Sequence, residues 1–219
     1  IIMGVIKRGI LGGFSNKVAN VVGSSWKGIN TMRALPLSVA NPRTSAQVEN
    51  RNSFSYFSKL GSDVLSTIIQ PLLNRDAKYM SGYNKFIKLN KLVYDSEGLE
   101  GWKQNPVIAD GVLSSTITNA TATAGQTSIT VTAPTTLANA KDSATDKMFA
   151  CVVVYPTADT DLANATAYGV GGSVARSAGS ISIPVPAIVA GHTYVVMLAY
   201  RSADGVETSE TAVLVKTVA

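Results

Sequence analysis

The spacing of apolar residues between positions 44 and 92 is helical. The Thr-Ser-Ala-Gln sequence at residues 44–47 fits a capping box, in which the threonine hydroxyl accepts an N–H three residues on and the glutamine side chain reaches back. This predicts a helix that begins at Ser45. The helix is expected to end at Gly61, because glycine readily adopts the left-handed conformation that follows many helices. The residues expected to face the core from this helix are Phe54, Phe57 and Leu60.

A second apolar stripe covers residues 64–73 and predicts another helix, with Ser62 as its N-cap. Pro71 lies inside the stripe. Because proline lacks a backbone donor, it either kinks that helix or opens the first turn of a new one. A third helical pattern covers residues 77–92. Periodicity is then lost over residues 94–111.

The first 35 residues have a different pattern, in which glycines interrupt short apolar runs. Because glycine weakens a helix interior, this pattern favours short strands or an extended arm. Residues 18–22 and 29–33 are expected to pair as a hairpin across the sequence GSSWKG. A two-stranded ribbon is marginal in water. It therefore either packs on the helices or pairs with another subunit.

Beyond residue 103 the pattern changes to seven or eight short β-branched or alternating runs. This spacing is typical of an antiparallel β-sandwich of the immunoglobulin or fibronectin type III kind. Asp204-Gly205 predicts a hairpin turn, and Pro184 and Pro186 place their strand at a sheet edge. The predicted fold is α+β. Residues 1–103 form a β-arm and helical assembly domain, and residues 104–219 form the sandwich.

The charge of the chain is unevenly distributed. Residues 1–103 hold 14 lysines and arginines against 6 acidic residues, whereas residues 104–219 hold 5 against 8. Such polarity indicates two domains with different partners, or head-to-tail self-association of opposite fields. A solvated basic face is the alternative interpretation.

The residues that usually carry catalysis are sparse. His192 is the only histidine and Cys151 the only cysteine, so the sequence predicts no histidine-based metal cluster, no cofactor and no disulfide framework. Cys151 is expected to be a small buried apolar residue. The chain is predicted not to be an enzyme. Only carboxylates offer a catalytic alternative, and neither Asp142 with Asp146 nor Glu97 with Glu100 has a spacing that marks a pair. No apolar run is long enough to span a membrane.

The N-terminal residues carry a family resemblance. The segments concerned are residues 9–18, 21–28 and 41–44, together with Arg33, Gln47, Arg51 and Phe54. They resemble the family called domain of unknown function 6266, a family of Bacteroidota and their phages. Residues 144–147 and 202–205 extend the likeness into the second half. The resemblance implies a virion component whose matching residues face a neighbouring subunit, and these are Lys17, Trp26, Lys27, Arg33, Arg43, Gln47 and Arg51.

The leading functional hypothesis is therefore a structural subunit of a phage virion, in the head or at the head–tail junction, that assembles as an oligomer with other virion subunits. One alternative is a nucleic-acid-binding module that uses the basic half, with Trp26 or Trp102 stacking on bases. Another is a bacterial surface adhesin or glycan binder that presents loops around residues 156–172. The expected location is the virion, or the bacterial cytoplasm or cell surface under the alternatives.

Overall fold

The computed structural model describes residues 3–6, 16–26, 29–38, 41–75, 77, 79–156 and 164–218. The chain divides into two compact units, Ile1–Gln47 and Val48–Ala219. The first unit is built on one antiparallel sheet. The second consists of helices packed against a four-stranded antiparallel sheet, whose other face packs on a three-stranded sheet.

The sheet of the first unit contains four short strands. They are β1 (Met3–Ile6), β2 (Asn16–Val18), β3 (Val21–Trp26) and β4 (Ile29–Ala34). Their order across the sheet is β1-β4-β3-β2, and every neighbouring pair is antiparallel. We call this sheet the N-terminal sheet.

The predicted hairpin is confirmed in part between β3 and β4, and its loop is shorter than expected. The predicted first strand, residues 18–22, is divided by a turn, so Val18 lies in β2 and Val21 begins β3. Trp26 lies opposite Ile29, so the strands extend into the GSSWKG sequence that was assigned to the turn. Ser24 and Thr31 face each other across the pair, and their hydroxyls hydrogen-bond at 2.7 Å. The polar residues therefore belong to a solvent-exposed strand face. The sequence predicts that this ribbon packs on the helices or pairs with another subunit. In the structure β1 and β2 extend it to a four-stranded sheet.

Helix α1 (Ser45–Asp63) begins where the capping box predicts, and the Gln47 N–H donates to Thr44 Oγ1 at 3.4 Å. Its predicted end is wrong, because α1 continues through Gly61 and Ser62. A Cβ at Gly61 would lie 3.0 Å from Tyr83 Cε2, so this glycine permits close packing of another helix instead of ending its own. Of the three residues expected to face the core, Phe57 and Leu60 are buried and Phe54 is 54% exposed.

The helical chain then continues with an irregular turn. A π-helical segment, Leu65–Ile69, leads into α2 (Gln70–Leu73), and Pro71 lies in the first turn of α2. Helix α3 (Gly82–Gln104) begins later than predicted, because Ser81 is its N-cap and accepts the Asn84 N–H at 3.2 Å. The apolar stripe of this region is buried at Val64, Ile68, Ile69, Leu72 and Leu73, and its sixth member, Leu65, is half-buried.

Seven strands lie in the described part of the second half. They are β5 (Asn119–Thr121), β6 (Ser128–Thr132), β7 (Lys147–Tyr155), β8 (Thr166–Ala175), β9 (Ser180–Pro184), β10 (Thr193–Arg201) and β11 (Ala212–Thr217). One sheet has the order β11-β10-β7-β8 and the other β5-β6-β9. The edge position predicted for the proline-containing strand is confirmed for β9. The chain turns between β10 and β11 at Gly205, whose φ is +74°.

Strands β7 and β10 are buried on both faces. Alternate residues of β7, such as Cys151 and Val153, pack with the helices, whereas Ala150 and Val152 pack against the β5-β6-β9 sheet. This double burial explains the nearly continuous apolar sequences of these two strands.

The helices and the four-stranded sheet of the second unit share one hydrophobic core. The observed division of the chain therefore falls between Gln47 and Val48, whereas the sequence predicts a division between residues 103 and 104. Helices α1 to α3 do not form a compact unit with the N-terminal segment, because their apolar stripes are buried against β7, β8 and β10.

Candidate assembly surface

The two faces of the N-terminal sheet differ in chemistry. Lys17 lies opposite Val22, which in turn lies opposite Arg33, so these residues form one row across three strands. Directly opposed residues of an antiparallel pair project from the same face, as do residues two apart along a strand. This face, which we call the cationic face, comprises Lys17, Val22, Ser24, Ile29, Thr31 and Arg33.

The opposite face carries four apolar residues next to Asn16, Gly23, Ser25 and Asn30. Val18, Val21 and Ala34 form one row across β2, β3 and β4, and Met32 lies two residues before Ala34. Val18 is 58% exposed and Met32 is 37% exposed. We call these four residues the apolar face. Exposed apolar side chains that share one face are characteristic of protein contact surfaces.

Strands β1 and β2 form the two edges of the N-terminal sheet. In the described residues each has a strand neighbour on one side only. The backbone groups on its outer side are therefore available to pair with another strand.

The structure brings together two of the predicted site residues. Lys17 and Arg33 are exposed and lie in the same row of the cationic face. Trp26 ends β3 opposite Ile29. Lys27 lies outside the described residues.

The remaining predicted site residues lie on or next to helix α1. Arg43 precedes the helix, Gln47 lies in its first turn, and both are exposed in the first unit. Arg51 is exposed on the same helix in the second unit.

The apolar face was not predicted from the sequence. Its signal was present in residues 29–34, where Asn30, Met32 and Ala34 alternate with Ile29, Thr31 and Arg33. The two-residue connection between β3 and β4 fixes which residues face one another. The assignment of residues 23–28 to a loop concealed that register.

A buried charge cluster lies in the second unit and was also missed. Arg176 is 2% exposed, and its guanidinium lies 3.3 Å from a carboxylate oxygen of Asp142 and 3.3 Å from one of Asp146. The guanidinium also stacks 3.9 Å from the centre of the Tyr200 ring. The two aspartates whose spacing indicated no pair therefore converge on one arginine, whose charge offsets part of theirs in the core.

Asp142 anchors the segment that precedes β7. Its carboxylate accepts the N–H groups of Ser114, Ala138 and Asn139 at 2.8–3.0 Å. Burial favours the neutral acid, but hydrogen bonds from Ser114 and Asn139 and the charge of Arg176 together lower the pKa of Asp142 below its ordinary value. Its stabilising contribution is therefore present above that ordinary value, and it is lost as the pH falls through the lowered pKa.

Two sequence-based assignments of single residues are resolved by burial. Trp102 is 1% exposed, and its indole N–H donates to Asn90 Oδ1 at 2.9 Å. The proposal that Trp102 stacks on bases is therefore wrong. Cys151 is buried as predicted, and burial with a further contribution from the charge of Asp63 raises the pKa of its thiol to about 12.

A cleft lies near the loops assigned to the glycan-binding alternative. It has a volume of about 310 Å³, and its lining includes Pro156, Asn164, Tyr168 and His192. Residues 157–163 lie outside the described part of the chain. Glycan binding at this position stays a prediction.

The described residues contain no group of three or more His, Cys, Asp or Glu side chains placed to hold a metal ion. None of the helices in this part of the chain has the length and apolar character needed to cross a membrane.

These surfaces and cores define an α+β protein with an N-terminal sheet unit and a second unit of helices and antiparallel sheets. Residues 13–91 match the model of DUF6266, a family of unknown function, and the predicted resemblance is confirmed over this segment. The match extends from the residues before β2 into α3. For strands β5 to β11 the resemblance stays a prediction. No curated protein matches the chain.

Proposed function

We propose that this chain is a non-enzymatic structural protein that associates with further copies of itself through the apolar face of the N-terminal sheet. The observation that carries the proposal is the exposure of Val18 and Met32, at 58% and 37%. Burying apolar surface stabilises an interface by about 25 cal/mol per Å². The row of Val18, Val21 and Ala34, with Met32 beside it, therefore favours contact with another apolar surface.

The partner that we propose for this face is the same face of a second copy of the chain. Two antiparallel sheets pack face to face at a spacing of about 10 Å, and a two-fold axis makes one patch complementary to itself. Pairing through the apolar faces also directs Lys17 and Arg33 of both copies outward. This arrangement separates the like charges of the two sheets. The open edges of β1 and β2 offer further contacts to neighbouring subunits.

The setting that we propose for this assembly is a phage virion. Its support is the family resemblance of the N-terminal segment. Mass spectrometry of purified phage particles that encode the chain tests this setting. Detection at a fixed copy number per particle is expected, and absence from intact particles would contradict it.

We also propose that strands β5 to β11 form an immunoglobulin-like sandwich of the fibronectin type III kind. The first, second and fifth of these strands make one sheet, and the other four make the second, which fits the arrangement of this class. A further support is Tyr194 at the start of β10. Its hydroxyl accepts the Val189 N–H at 2.9 Å and donates to the Val189 carbonyl at 3.4 Å, as in a tyrosine corner.

The self-association is tested with the double variant Val18→Ser and Met32→Ser. Light scattering after size exclusion should show an oligomer for the wild type and a shift towards the monomer for the variant. The matched control is Val189→Ser with Val206→Ser, which removes two valines of the second unit that are exposed to a similar degree. The control should associate like the wild type. A wild-type monomer at every accessible concentration would refute the proposal.

A further inference from the structure

The first unit is cationic without any compensating acid. Residues 1–47 contain six lysines and arginines and no aspartate or glutamate. Residues 48–219 contain thirteen lysines and arginines and fourteen acidic residues. The net positive charge of the chain therefore comes from the first unit, and the second unit has a net charge close to zero.

This balance decides between two kinds of anionic partner. In head-to-tail association the six positive charges would face a unit whose net charge is −1. A second copy therefore supplies little compensating charge. Double-stranded nucleic acid carries one negative charge per about 1.7 Å of its axis, and contact with lysine and arginine releases its condensed counterions.

The cationic face has the residue types that contact phosphates. Lys17 and Arg33 lie two strand spacings apart, which is about 10 Å. Each strand of a duplex carries a phosphate every 3.4 Å or so along the helix axis, so a row aligned with that axis spans about three phosphates. Exposed Ser24 and half-buried Thr31 lie on the same face, with their hydroxyl oxygens 2.7 Å apart. Thr31 Oγ1 also donates to the Ser24 carbonyl at 3.3 Å, so these residues add polar surface beside the two cations.

We propose that the cationic face of the N-terminal sheet binds the phosphate backbone of nucleic acid, with Lys17 and Arg33 as phosphate contacts. Binding through phosphates is independent of base sequence. The site lies on the face opposite the apolar face. A self-associated dimer therefore presents two such sites, one on each outer side.

The test is fluorescence anisotropy of the full chain with a labelled 30-base-pair duplex, between 50 and 200 mM NaCl. The variant is Lys17→Gln with Arg33→Gln, and the matched control is Lys59→Gln with Lys88→Gln, which removes two exposed helical lysines of the second unit. Loss of two phosphate contacts should weaken binding at 50 mM salt about tenfold and reduce the magnitude of the salt slope by about 2. The control should retain the affinity and slope of the wild type.

Three outcomes would overturn the assignment. They are no binding of the duplex at 50 mM salt, equal losses in the variant and the control, and equally tight binding of poly-glutamate or anionic lipid vesicles. A second duplex of unrelated sequence should bind with the same affinity. Substitution of Lys17 by Arg and of Arg33 by Lys should preserve binding, because the charges remain.

Salt dependence separates this inference from the proposed self-association. Higher salt weakens phosphate binding, whereas it screens the repulsion between cationic units and strengthens apolar association. Substitution of Val18 and Met32 should leave duplex binding by the monomer intact. Loss of duplex binding can therefore be measured separately from loss of self-association, and either proposal can be refuted while the other holds.

Discussion

Arg176 shows how one residue can decide the stability of a segment that is remote in sequence. The residues that its guanidinium contacts come from three parts of the chain, since Ser114 accepts hydrogen bonds in addition to the two aspartate ion pairs. Each carboxylate would be costly in the core without it. The arginine therefore ties the entrance of β7 to the end of β8.

Substitution of Arg176 by Gln should destabilise the protein by about 3–5 kcal/mol, because it leaves two buried carboxylates without their cation. Urea denaturation followed by circular dichroism measures the change. The matched control is Lys141→Gln, which breaks the exposed pair with Glu207 and should cost no more than about 1 kcal/mol. Similar losses in the two variants would show that the buried cluster is not a special source of stability.

The sequence did not predict this cluster, because its members are distant along the chain. Arg176 follows Asp142 by 34 residues, and only the pairing of β7 with β8 brings them together. The start of α1, in contrast, was predicted correctly because its capping box is a local interaction of residues three apart. Local chemistry is visible in a sequence, whereas contacts that depend on strand register are not.

At the scale of elements, the helices approach the four-stranded sheet at a glycine. Gly169 lies in β8 opposite Cys151, and a Cβ at this position would lie 2.7 Å from Ile68 Cγ1 and 3.2 Å from Val64 Cγ1. The absent side chain allows the π-helical segment to pack directly on the strand.

Replacement of Gly169 by Ala should destabilise the protein by about 1–3 kcal/mol through overpacking. Chemical denaturation measures this, and a double-mutant cycle with Ile68→Ala isolates the cause. If the clash is with Ile68, the double variant should lose less stability than the two single variants lose in sum. Strict additivity would place the cause elsewhere.

Two glycines illustrate what the sequence specifies at this scale. Gly205 was correctly predicted as a turn, because Asp-Gly is a strong hairpin signal. Gly61 was wrongly predicted as a helix end, because the sequence gives no indication that Tyr83 and Phe86 pack against it. A glycine required for its backbone conformation and one required for lack of a side chain look alike in a sequence.

For the whole molecule, the sequence predicted the strands β7 and β10 but not the layer that covers them. Their apolar runs indicate burial on both faces, and the stripe of residues 64–73 indicates a helix that needs a partner. In the structure the helical stripe packs against one face of these strands. Neither pattern alone shows that the helices and the strands pack on each other. The predicted boundary between them therefore does not coincide with the division between units.

A fragment of residues 41–219, which retains the helix cap at Thr44, should fold without the N-terminal sheet. Both hydrophobic cores consist of residues of the second unit. We expect near-ultraviolet circular dichroism to preserve the signal of buried Trp102, and urea unfolding to remain cooperative. The fragment should lose both self-association and duplex binding. An unfolded fragment would show that the second unit depends on the first.

The position of strands β7 and β10 between two cores determines how the second unit unfolds. Each strand contributes alternate side chains to both cores. Unfolding of either outer layer therefore exposes apolar side chains of the central sheet to water, which destabilises that sheet. Helices and sheets should consequently be lost together in one calorimetric transition. Limited proteolysis of the second unit should then yield either the folded unit or fully degraded chain, and no partly cleaved folded intermediate should accumulate.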